Sequence, residues 1–160
     1  MSKFTRTATI VALVLTLAGC GAGRDAATLK PYTPTDGVAG AAQSIKIRDV
    51  VLVAMPDGNG VIVGTIVQTG PAQDRITGII VNGKPASVTP ASPVLSQNAP
   101  VRFAGERANA SAVIPGLNAA PGALAKIEIV FETSGTVSLD AIVRDNQKEF
   151  AGVTTTPIQG

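Results

Sequence analysis

An all-β fold, an antiparallel β-sandwich of about seven to nine short strands, is what the sequence predicts. Three observations predict it. Apolar and polar residues alternate in several short runs, most clearly in Lys126–Glu132, where Ile127, Ile129 and Phe131 share one face. Turn clusters recur between those runs: Pro56–Gly60 (PDGNG), Asn82-Gly83 and Ser134-Gly135. No stretch beyond the N-terminal region carries a capped apolar repeat of helical period.

The N-terminal residues, 1–19, read as an export signal. Lys3 and Arg6 make a positive start, and Ala8–Ala18 is an apolar run. That run is too short to span a bilayer as a helix, which needs about 20 apolar residues. It ends in Leu17-Ala18-Gly19-Cys20, followed by Gly-Ala-Gly, and Cys20 is the only cysteine of the chain. This ending resembles the lipobox of bacterial lipoproteins. The resemblance implies lipidation of Cys20, cleavage just before it, and a membrane-anchored protein facing outside the cytoplasm. Each buried methylene contributes about 0.8 kcal/mol, so two or three acyl chains form a lasting anchor. With Cys20 acylated, no disulfide is available, and the fold must rest on its core.

Residues 20–43 read as the lipidated cysteine and a flexible tether, punctuated by Pro31, Pro34, Gly37 and Gly40. The sandwich is expected over 44–151. Its first strand covers Ser44–Met55, where Ile45 and Ile47 alternate with Lys46 and Arg48. The second is Val61–Thr69, with Gly64 marking a bulge or a close backbone approach. The third, Arg75–Val81, turns at Asn82-Gly83 in a type I′ hairpin. Its return, Lys84–Val88, contains Pro85 and so should be short or at an edge. A Pro/Ser/Ala-rich segment spans Thr89–Ala99, and shorter strands follow at Pro100–Ala104 and Ser111–Ile114. Lys126–Glu132 and Thr136–Arg144 form the last pair, the latter with Val137, Leu139, Ala141 and Val143 on one face. Residues 152–160 read as a loose C-terminal tail.

Composition excludes several function classes. Removal of Lys3 and Arg6 with the leader takes two from the 13 basic residues and leaves them equal to the 11 acidic ones. With no basic block, no tryptophan and one tyrosine, the chain lacks the charge and stacking surfaces that nucleic-acid binding uses. With no histidine, it lacks the usual general base near neutral pH. Glu128, Glu132 and Asp140 fall on the polar faces of their strands. Asp57-Gly58-Asn59-Gly60 begins like a calcium loop but lacks the remaining ligand spacing, and reads as a hairpin turn. Neither a catalytic residue, a cofactor site nor a metal site is assigned from these patterns. The residues expected to meet a partner are in loops: Asp57, Asn59, Gln73 and Asp74, with the Thr89–Ala99 segment beside them.

Two longer stretches carry a second resemblance. Gly64–Ile79 (GTIVQTGPAQDRITGI) and Val113–Val143 (VIPGLNAAPGALAKIEIVFETSGTVSLDAIV) resemble the periplasmic copper-chaperone family called PCu(A)C. Actinobacterial lipoproteins of the LpqE type are similar to the whole pattern, lipobox included. The resemblance implies a cupredoxin-like sandwich, immunoglobulin-like in the broad sense. The family binds copper through histidine and methionine, soft ligands suited to Cu(I). Its His-x-Met pair corresponds here to Ser111 and Val113, and Met55 is the only methionine after Met1. The expectation is therefore a non-catalytic binding or accessory module in the cell envelope, holding an unknown envelope protein and no copper of its own. Copper handling through unusual ligands stays open as the alternative, and a cryptic hydrolase as a third reading.

Overall fold

The computed structural model describes residues 37–157. The leader, Cys20, the tether as far as residue 36 and the last three residues of the tail lie outside the described residues. In chain order the strands are β1 (Val38–Ala42), β2 (Ile45–Ala54), β3 (Gly60–Gln68), β4 (Asp74–Val81), β5 (Lys84–Pro85) and β6 (Ser87–Thr89). There follow β7 (Val94–Leu95), β8 (Val101–Phe103), β9 (Ser111–Ile114), β10 (Leu124–Phe131), β11 (Thr136–Asp145) and a 3-10 turn at Lys148–Phe150.

The strands form one continuous path, β5-β4-β10-β11-β2-β3-β9-β6, with β1 on β2, β7 on β4 and β8 on β3. β11 serves both layers. Its residues 136–142 pair antiparallel with β10, and Val143–Asp145 then pair with β2. That last contact is parallel, so the sandwich is not wholly antiparallel as the sequence predicts. The two ends of the path, β5 and β6, are separated in sequence only by Ala86. The amide of Ala86 donates to Ile79 O at 2.8 Å, and its side chain packs against the core. The sheet is thereby nearly closed, barrel-like, with few free edges. Pro85 sits at the end of the path, where its missing N–H costs no ladder bond.

Alternation explains most of the core. Ile127, Ile129 and Phe131 of β10 are buried, as are Leu139, Ala141 and Val143 of β11. They meet Ile45, Ile47, Leu52, Ile62, Ile66 and Phe103 from the opposite layer. Each such large side chain contributes about 1.5–3 kcal/mol by leaving water. At the predicted hairpin, Asn82 and Gly83 have φ of 49° and 78°, the paired positive values a type I′ turn demands.

β2 departs from simple alternation. Arg48 pairs with Thr65 and Val51 with Val63, so Asp49 and Val50 together oppose Gly64. This is a β-bulge, and Asp49 takes a φ of 55°. The extra residue reverses the facing of everything after it. Val50 and Leu52 point into the main core with Ile45 and Ile47, while Val51 and Val53 point outward. There they join Val61 and Val153 in a second apolar cluster, packed by Met55, Val113 and Phe150.

Both predicted domain edges are corrected, the C-terminal one by this cluster and the N-terminal one by β1. The tail does not start loose at Gly152: Val153 is buried, and its carbonyl accepts from Asn146 Nδ2 at 2.9 Å. The outward valines need a cover, and the segment after β11 supplies it. At the other end, Val38–Ala42 lies within the expected tether yet pairs with β2, Gly40 opposite Ile47 and Ala42 opposite Ile45. Its small residues let the chain approach closely, since a Cβ on Gly40 would stand 2.7 Å from Leu139 Cδ2.

Candidate functional site

The loop residues expected to meet a partner are mostly engaged inside the domain. Asp57 closes its own turn, accepting from the Asn59 amide at 3.0 Å and from Asn59 Nδ2 at 2.8 Å. Asn59 Oδ1 in turn accepts from the Gly116 amide at 2.9 Å, and Gly58 O accepts from the Asn118 amide at 2.9 Å. The β2–β3 turn is therefore stitched to the β9–β10 loop, where Lys84 Nζ also donates to Gly116 O. Gln73 remains exposed and donates to Ser96 Oγ at 3.2 Å.

Asp74 is the clearest correction. It begins β4 and is buried, so it does not present its carboxylate to a partner. Oδ1 accepts from the amides of Arg75 (2.8 Å) and Thr133 (3.0 Å), and Oδ2 from that of Ser134 (2.9 Å). Burial pushes its pKa up, but the hydrogen bonds from the Ser134 hydroxyl and from these amides outweigh it, and the net direction is down. The carboxylate pins the β10–β11 turn to the start of β4. Gln68, which the sequence does not single out, does similar work next to it: its buried amide bridges Ala72 O (2.8 Å) and the Gly70 amide (3.1 Å). A polar residue at the end of an apolar strand, just before Thr-Gly-Pro, was the available signal.

The carboxylates on strand faces do not converge. Glu128 pairs with Lys126 at 3.0 Å and Glu132 with Arg75 at 3.1 Å, both at the surface. Among the described residues no group of three or more His, Cys, Asp or Glu is placed to hold a metal ion.

The structure instead draws attention to β9. Its alternation sends Ala112 and Ile114 into the main core and turns Ser111 and Val113 to the other face. Val113 pairs with Val61 and packs on the outer valine cluster. Ser111 opens onto a groove of about 490 Å³. The floor of that groove is Val61, Ala110, Ser111 and Val153, between the β8–β9 connection and the segment after β11. Glu106 and Glu149 line it at the surface, and among the described residues no lysine or arginine does. Ser111 is 8% exposed, and its hydroxyl has no hydrogen-bond partner among the described residues. Met55 packs against the same cluster, its sulfur accepting from Asn146 Nδ2 at 3.1 Å. Sequence reasoning placed Ser111 and Val113 by correspondence but gave no sign of the groove, because its second wall is the supposed tail.

A nearly closed β-sandwich with a groove on its outer face defines the class: a small all-β domain of the cupredoxin or immunoglobulin kind. More particularly, its fold is that of the PCuAC domain. The copper-bound PCuAC domain from PmoF2 aligns with a TM-score of 0.58 and 20% identity, over 68% of this chain and 98% of that one. The apo PCuAC domain from PmoF1 aligns at 0.58 and 19%, over 68% and 99%. The apo PmoF2 domain aligns at 0.56 and 20%, over 69% and 98%. Identities this low speak for the fold alone. No protein-family model matches the chain, and comparison with curated proteins gives no match.

The donor set on β9 does not fit Cu(I). Where the family pattern has His-x-Met, this chain offers one hydroxyl and one aliphatic side chain, and a soft monovalent ion is poorly held by either.

Proposed function

We propose that this protein is an exported, lipid-anchored envelope protein whose PCuAC-like sandwich is a non-catalytic binding module without a copper site of its own. The observation that carries the reading is the pair Ser111 and Val113, which face the outer groove and the apolar cluster where the family's ligand pair corresponds. Met55, the one methionine after Met1, is packed and hydrogen-bonded to Asn146. Anchoring rests on the lipobox at Leu17–Cys20.

Titration of the full chain carrying Cys20→Ser, so that no thiol competes, tests the copper claim with Cu(I) against a chelator of known affinity. The expected result is no transfer of metal to the protein. Tight one-to-one binding overturns the reading. Incorporation of labelled fatty acid into the wild-type chain, lost in Cys20→Ser, is the outcome expected for the anchor.

A second reading is favoured by one observation, the alignment with a copper-bound PCuAC domain. In it, copper is cargo passed through this domain with oxygen or backbone ligands replacing the missing histidines. The same titration separates the two.

A further inference from the structure

We propose that the groove beside β9 is the binding site for a small organic cation: an aliphatic ammonium ion carrying a second polar group a few carbons away. The proposal rests on the binding-module reading and names the ligand class.

Three features of the groove select this chemistry. Its floor is apolar at Val61, Ala110 and Val153, which suits a hydrocarbon segment. Within that floor lies Ser111, more than nine-tenths buried, with a hydroxyl that no described group satisfies. Buried hydroxyls are ordinarily paired, and a serine both donates and accepts, so this one suits a hydroxyl or amide on the ligand. Among the described residues lining the groove, the charged side chains are Glu106 and Glu149. They disfavour an anion and attract a cation to the exposed end, while the polar group at the other end reaches Ser111. The volume, about 490 Å³, lies within the range of small-molecule sites. The segment 149–156 forms one wall, so the site exists only because the chain after β11 folds back over the sheet.

The test uses the full chain, isotope-labelled, with amide chemical shifts followed by NMR as 6-aminohexan-1-ol is added. The expected result is saturable shifts centred on Val61, Ala110, Ser111 and Val153. 6-Hydroxyhexanoate, which reverses the charge, should bind at least about tenfold more weakly. Glu106→Gln with Glu149→Gln should weaken the amino alcohol several-fold; both positions are exposed, so the fold is not at risk. Ser111→Ala should bring the amino alcohol down to the affinity of hexylamine. Absence of saturable shifts at the groove overturns the proposal, as does equal binding of the hydroxy acid. Either failure, with the protein still silent to Cu(I), leaves the binding-module reading standing. Tight Cu(I) binding overturns that reading directly.

Discussion

A Cβ placed on Gly64 would stand 3.0 Å from Cγ2 of Val50 and 3.2 Å from its Cα. The bulge in β2 therefore packs tightly against a residue with no side chain, and any added Cβ must push Val50 aside. The bulge is what turns Val51 and Val53 outward, and the outward valines are what hold the C-terminal segment that walls the groove.

Replacement of Gly64 by Ala should accordingly destabilise the domain by about 1–3 kcal/mol, the usual range for overpacking a tight site. Denaturant unfolding measures it. An unchanged midpoint would mean that β2 and β3 separate at no cost.

Removing the cover should expose the outer cluster. Truncation after Asn146 deletes Phe150 and Val153 and leaves Val51, Val53 and Val61 open to water. The expected outcome is a lower melting temperature and new binding of an apolar dye. The milder Val153→Ala should cost about 1–2 kcal/mol.

Asp74 should make the domain acid-sensitive. Its folded pKa lies below the ordinary value of 3.8, so its stabilisation is fully present above that value and is lost as pH falls through the lower folded one. Asp74→Asn should flatten that acid limb while lowering stability near neutral pH by about 1–3 kcal/mol, through weakened bonds to Thr133 and Ser134. Urea midpoints from pH 2 to pH 7 read both effects.

Asn59 links the two loops at its end of the sandwich. In Asn59→Ala the Gly116 amide loses its acceptor, so its hydrogen exchange should quicken, with a stability loss of about 1 kcal/mol. Exchange at Val81, on the buried β4, should change only in proportion to the global loss.

Ser111→Ala should leave stability unchanged or raise it by about 1 kcal/mol, because it deletes a buried hydroxyl that has no partner among the described residues. A clear loss of stability would assign Ser111 a structural bond instead of a ligand-facing role.

The strands of the sandwich were legible wherever local pattern decides facing. Ile127, Ile129 and Phe131 share one face of their strand and are buried as expected, and Asn82-Gly83 turns as its conformational preferences require. The all-β class, the hairpins and the likeness to PCu(A)C all came from such short-range signals, which depend on neighbours in sequence. What only the tertiary structure decided was every feature set by distant partners. β1 consists of Val-Ala-Gly-Ala-Ala and shows no strand pattern, yet it pairs with β2 because Gly40 fits beside Leu139. Asp74 looked like a loop carboxylate until Thr133 and Ser134, far along the chain, closed on it. The groove needed both, a bulge that exposes valines and a C-terminal segment that returns to cover them. Burial is a property of what packs on a residue, and no run of sequence contains its own cover.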